Sequence, residues 1–194
     1  MSGSIHKVSD LRSYFEARLS SAESRLDQPI SSNLREYLLE LLGGSRHQAI
    51  VPGADDALGV ALISLQLEAD RGRRFAEYQR IGDTALYRCG VFPETLKRRG
   101  LKSTYMVNIG RAAYTGAAEC GRTVEQLLTA VFTELVDRFE AISSMLNEAM
   151  LPDFPKTPQD VVRLIGQWHR TRSDAVATLL SEAGVPLPDP EILH

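Results

Sequence analysis

Residues 128–146 read LTAVFTELVDRFEAISSML, and the spacing of their apolar positions decides the fold class. Leu128, Phe132, Leu135, Phe139, Ile142 and Leu146 step alternately by four and three residues, which places them on one face of an α-helix. A heptad stripe of this length packs at a shallow angle on a partner helix. Just upstream, Thr123-x-x-Gln126 is a capping box that opens the helix.

The same period continues outward in both directions. Met106, Ile109, Ala113, Gly116 and Cys120 line one side of a helix over about 103–120. Phe75, Tyr78, Gly82, Ala85 or Leu86, and Cys89 line another over about 73–89. A glycine on an apolar helical stripe costs about 1 kcal/mol against alanine, which close approach of a neighbouring chain would offset. With Gly110, Ala112, Ala113, Gly116 and Ala117 on the other helix, the two are expected to be antiparallel neighbours touching at Gly82 and Gly116. Gly90-x-Phe92-Pro93 breaks the first of them, and Pro93 opens a short helix through Arg98.

Nearer the N-terminus, a helix over about 57–70 is apolar nearly all round at its start, after a Pro52-Gly53 loop and an Asp55-Asp56 cap. A helix with no polar face is expected at the centre of the domain. Leu34, Leu38 and Leu41 belong to a helix opened by Ser31 or Ser32 and ended by Gly43-Gly44. Leu11, Phe15, Leu19, Ala22 and Leu26 form a first helix between an N-cap at Ser9 and Pro29. Downstream of 150, Thr157-Pro158-Gln159-Asp160 caps a last helix whose inward residues are Val162, Ile165, Trp168, Val176 and Leu179, up to Gly184. The expectation is an all-α, single-domain multi-helix bundle of about seven helices over residues 1–194. Its ends are a flexible stretch at 1–8 and an extended tail at 185–194.

Composition narrows the function classes. At 194 residues one domain suffices, and 24% charged residues with 43% hydrophobic ones exclude a disordered chain. The longest apolar run, 57–65, is too short to span a bilayer, and no signal peptide is visible. Cys89 and Cys120 form no CxxC pair and read as buried thiols in a reducing cytoplasm. His6, His47, His169 and His194 lack metal-ligand spacing, so neither a metal nor a cofactor is expected.

The residues that stand out lie between 78 and 114. Asp83 and Glu94 bracket the helix break at Gly90; a carboxylate followed by Leu86-Tyr87 suits a general base or a ligand, but the favoured reading is structural, a carboxylate accepting backbone N–H groups near a helix start. Asp83 sits about 100° from Gly82, at the border of the buried stripe, within reach of the Phe92-Pro93-Glu94 turn or of Tyr114. Tyr78, Tyr87, Phe92, Tyr105 and Tyr114 concentrate in the same region. A candidate ligand pocket is therefore Tyr78, Asp83, Tyr87, Phe92, Glu94 and Tyr114, against the simpler reading that these are core-edge residues. Arg71, Arg73 and Arg74 form one basic cluster and Lys97, Arg98, Arg99 and Lys102 another. Residues 93–113 admit a helix-turn-helix reading, but a net charge of −3 favours a solvated basic loop over nucleic acid.

The order Gly82-Asp83-x-x-Leu86, Gly90-x-Phe92-Pro93-Glu94, Tyr105 and Gly110-x-x-Ala113-Tyr114 resembles that of a group of uncharacterised bacterial helical proteins of similar length. Gln167-Trp168-His169-x-Thr171 is similar to that group's C-terminal helix, and the likeness covers residues 33–182. It implies a bacterial, cytoplasmic, single helical fold and no activity. Three functional readings follow in order of support. The first is a non-catalytic helical domain acting through protein contacts, as a homo-oligomer or with another protein. A small-ligand binder or enzyme around Asp83 comes second, and a nucleic-acid binder through 93–113 third.

Overall fold

Phe132, Leu135, Phe139, Ile142 and Leu146 are all shielded from solvent, so the heptad stripe is the spine of the protein. The structure is a computed structural model that describes residues 3–43, 55–121, 126–151, 157–172 and 174–185. Among them are nine α-helices and no strand: α1 (Gly3–Leu26), α2 (Ser32–Leu42), α3 (Asp55–Ser64), α4 (Arg71–Gly90), α5 (Pro93–Arg98), α6 (Ser103–Gly121), α7 (Gln126–Ala149), α8 (Pro158–Thr171) and α9 (Asp174–Glu182). The all-α expectation holds. The chain divides into two compact units, Met1–Ala149 and Met150–His194.

In the first unit α4, α6 and α7 make the core. A methyl added at Gly82 would lie 2.7 Å from the Tyr114 ring, and one at Gly116 would lie 2.7 Å from the Tyr78 ring. Arg71 at the start of α4 donates to the last carbonyls of α6, Cys120 at 2.9 Å and Glu119 at 3.2 Å. Residue numbers rise along α4 as they fall along α6, so the pair is antiparallel and touches at both expected glycines. Arg71, read in the sequence as part of a basic cluster, thus caps a helix C-terminus. On the other side of α6, Gly110 meets the Phe139 ring and Tyr114 stacks on Phe132 at 5.4 Å. Arg111 Nε donates to Val136 O at 3.0 Å, and Arg138, two residues on, leaves helical geometry. Capture of a helix carbonyl by a side chain is a recognised cause of such a kink.

The α1–α2 hairpin covers α7. Glu23, nearly buried at the end of α1, accepts Ile30 N–H at 3.0 Å and pairs with Arg35 on α2. Ser31 is the N-cap of α2, accepting Leu34 N–H at 3.1 Å. Two expectations fail here. α1 begins at Gly3, not after Ser9, because no glycine or proline interrupts residues 4–10; the stretch at 3–8 is therefore helical. Leu11, placed on the inner stripe, is exposed.

The largest correction concerns α3. It lies at the periphery, ends at Ser64 and continues as a 3-10 turn over Leu65–Leu67. Leu58 and Leu65 are buried, while Val60, Ile63 and Leu67 face solvent. An all-round apolar helix is compatible with the centre of a domain, but also with a surface helix whose outer face is apolar, and α3 is the latter. The Pro52-Gly53 loop, the Thr123 capping box and the tail beyond 185 lie outside the described residues, as do the side chains of Asp55 and Asp56.

The second unit is a small helical pair. Thr157 and Asp160 form the expected cap, each accepting the other's backbone N–H, with Pro158 in the first turn. Arg172 adopts a left-handed conformation at φ 50° and splits the expected single helix into α8 and α9. Its guanidinium lies 4.3 Å over the Trp168 ring. Leu151, Leu164, Trp168, Val176 and Leu180 are the buried core of this unit. Val162, expected inward, is exposed, and Leu164 takes the inner position.

Candidate functional site

Asp83 is 2% exposed in the middle of α4, and two tyrosines donate to the same carboxylate oxygen. Tyr114 Oη on α6 lies 2.9 Å from Oδ1, and Tyr37 Oη on α2 lies 2.5 Å from it. Gln79, one turn before Asp83, donates through Nε2 to Tyr37 Oη at 3.3 Å. Three helices are therefore joined at one buried acid. Burying a carboxylate without partners costs several kcal/mol or a change of protonation, and charge-assisted hydrogen bonds offset that cost.

Each member is held from its own side. Gly82 lets the Tyr114 ring lie directly on α4, which brings its hydroxyl to the adjacent Asp83. Phe132 on α7 stacks on Tyr114 at 5.4 Å and meets Tyr37 edge-on at 5.7 Å, so one aromatic ring orients both donors. Burial, the charge of Asp83 and neighbouring Tyr37 push the Tyr114 phenol well above the ordinary tyrosine range. Tyr114 therefore remains a donor at neutral pH.

Of the two donors expected for Asp83, Tyr114 is in place. In the Phe92 turn, Val91 N–H closes on Tyr87 O and Thr95 N–H on Phe92 O. The six residues of the candidate pocket fall into separate contacts. Asp83 and Tyr114 share a hydrogen bond; Tyr78 covers Gly116. Tyr87 and Phe92 pair edge-on at 5.6 Å near the far end of α4, with Phe92 about half exposed, and Glu94 is half-buried in the first turn of α5. Tyr37 and Gln79 were not singled out in the sequence. Nothing local marks Tyr37, because its partner lies 46 residues away.

A cleft of about 170 Å³ opens between α2 and α7, lined by Glu36, Tyr37 and Glu40 on one side and Leu127, Leu128 and Val131 on the other. Tyr37 thus links this cleft to Asp83. Among the described residues no group of three or more His, Cys, Asp or Glu is arranged to hold a metal ion. No helix among them is long and apolar enough to cross a membrane.

No protein-family model, curated protein or solved structure matches the chain.

Cys89 and Cys120 are buried free thiols. Burial pushes the Cys89 thiol up to about 12, so at pH 8 roughly one molecule in ten thousand carries the reactive thiolate. Iodoacetamide at pH 8 is expected to leave Cys89 unmodified in the folded protein for hours and to alkylate it within minutes in urea. Mass spectrometry of the labelled peptide is the measurement, and rapid native labelling would show that the end of α4 opens readily.

Proposed function

We propose that this is a non-catalytic helical domain that acts through protein contacts and associates with a second copy of itself through the outer face of α3. The observation that carries this reading is the exposure of Val60 (66%), Ile63 (69%) and Leu67 (90%) on one side of α3 and its 3-10 extension. Isolated exposed aliphatics are ordinary, whereas a contiguous group is a mark of an interaction surface. The element is anchored from within by Leu58 and Leu65, so the face is presented by a fixed helix. Tyr105 of α6, 38% exposed and lying against Gly59, enlarges it. One helix face is self-complementary about a two-fold axis, and so small a patch supports a concentration-dependent dimer.

The buried site supports the same reading, since the Asp83 carboxylate and its tyrosines satisfy one another inside the core. The buried, unbridged cysteines support a reducing compartment such as the cytoplasm. The likeness to uncharacterised bacterial helical proteins supports a bacterial origin and adds no activity. One observation favours the ligand reading instead, namely that Tyr37 lines the α2–α7 cleft while bonded to Asp83.

Sedimentation equilibrium from micromolar to submillimolar protein tests the self-association. The wild type is expected to shift from monomer to dimer, and Val60→Glu/Ile63→Glu to remain monomeric at the same melting temperature. Tyr14→Glu, an exposed aromatic on α1, serves as the control and should dimerise normally. A wild-type monomer at every concentration, or a dimer in the double variant, removes the basis for this reading.

A further inference from the structure

The charge of this chain is segregated. Between Glu94 and Glu119 lie 24 residues without an acid and with five bases, Lys97, Arg98, Arg99, Lys102 and Arg111. The whole chain has 22 basic and 25 acidic residues, so the other 170 positions hold 17 against 25. A segment at +5 thus sits in a remainder at −8, and the net charge of −3 describes neither stretch of the sequence.

The fold gives this segment a fixed form. Arg99 N–H donates to Thr95 O and Leu96 O, and Leu101 N–H donates to Leu96 O at 3.0 Å. Gly100 at φ +70° permits that closure, and Leu96 is buried beneath it. Arg98, Arg99 and Lys102 are exposed at the resulting corner between α5 and α6. Arg88, on the last turn of α4, is 8% exposed, and its guanidinium is pushed down by burial and by the charge of Arg99. Arg111 is engaged elsewhere, on Val136 O and toward Glu140.

Beyond the corner, α6 turns Thr104, Asn108, Ala112 and Thr115 to solvent, spaced by four, four and three residues, with the partly exposed Tyr105 at the border of this strip. All four are short and uncharged, and the first acid on the helix is Glu119 at its far end. A helix of 19 residues is about 28 Å long, and a DNA major groove about 12 Å wide admits one whose outer side chains are short.

We propose that the corner between α5 and α6, with the solvent strip of α6, is a docking surface for a nucleic-acid duplex. Arg98, Arg99 and Lys102 contact phosphates, and Thr104 and Asn108 face the groove.

The test is fluorescence anisotropy of the full chain with a labelled mixed-sequence DNA duplex of about 25 base pairs. Three phosphate contacts give a salt slope of about −2.7, so affinity is expected to fall about 40-fold between 50 and 200 mM salt. Arg98→Glu/Arg99→Glu/Lys102→Glu should lose at least tenfold in affinity. Lys102→Gln, a single exposed change that leaves the fold untouched, should lower the slope by about one contact. Arg73→Glu, on the separate basic cluster, should bind as the wild type does. The proposal is overturned by absence of binding at 50 mM salt, by wild-type affinity in the triple variant, or by equal weakening in Arg73→Glu. Displacement of the duplex by polyglutamate at equal charge concentration would assign the corner to acidic proteins and overturn it too.

Discussion

Asp83→Ala is expected to lower the unfolding free energy of the first unit by about 1–3 kcal/mol. The substitution leaves the hydroxyls of Tyr37 and Tyr114 without their acceptor inside the core, and each unpaired buried donor costs roughly 1–3 kcal/mol. The two hydroxyls also lie within hydrogen-bonding reach of each other, so one can donate to the other and a single donor is left unpaired. Against a typical stability of about 5–15 kcal/mol, this is a large fraction of the total. Asp83→Asn keeps an acceptor oxygen and should cost much less, as should Tyr37→Phe, which removes one donor and leaves no orphan hydroxyl. Urea unfolding of the three variants provides the comparison. If Asp83→Ala unfolds at the wild-type midpoint, the tyrosine bonds contribute nothing to stability. Loss of a cellular phenotype at unchanged stability would then shift support to the ligand reading.

Replacing the small residues between α4, α6 and α7 is the second large effect. A methyl group at Gly110 would lie 2.4 Å from the Phe139 ring and 3.1 Å from Ala85 Cβ, and one at Gly82 would lie 2.7 Å from the Tyr114 ring. Alanine gains about 1 kcal/mol in helix propensity over glycine, while overpacking a filled core costs about 1–3 kcal/mol. Phe139 and Tyr114 are fully buried and cannot swing away, so the packing cost wins. Gly110→Ala and Gly82→Ala should therefore both destabilise, and Gly82→Leu should do so by more than Gly82→Ala. Gly59→Ala is the informative contrast. Its methyl would approach the Tyr105 hydroxyl at 2.7 Å, but Tyr105 is 38% exposed and can yield, so the propensity gain should prevail. Equal denaturant midpoints for Gly82→Leu and Gly82→Ala would show that the α4–α6 contact is looser than its geometry.

These two expectations also mark how far the sequence could be read. The period of residues 128–146 is a local property, set by 3.6 residues per turn, and every predicted stripe member from Phe132 to Leu146 is buried. Gly82 and Gly116 were legible for a related reason. A glycine on an apolar helical stripe is unfavourable unless a neighbour needs the space, and here Tyr114 and Tyr78 occupy it. Tyr114 was one of the two donors the sequence offered for Asp83, beside the Phe92-Pro93-Glu94 turn, and it is the one in place.

What lay beyond local reasoning depends on which faces meet. Tyr37 carries no signal in its own helix, because its hydroxyl matters only once α2 is laid beside α4. The apolar character of α3 was visible, but whether such a helix is central or peripheral is decided by the surface its neighbours leave uncovered. Arg172 has no turn-forming chemistry of its own, so the break between α8 and α9 was not visible either. The sequence by itself therefore determined the helical class, the inward stripes of α2, α4, α6 and α7 and the closeness of the α4–α6 contact, since periodicity and residue volume act within a few turns. Only the tertiary structure decided the Tyr37–Asp83–Tyr114 junction, the exposed face of α3 and the division into two units, because each depends on residues far apart in the chain competing for the same space.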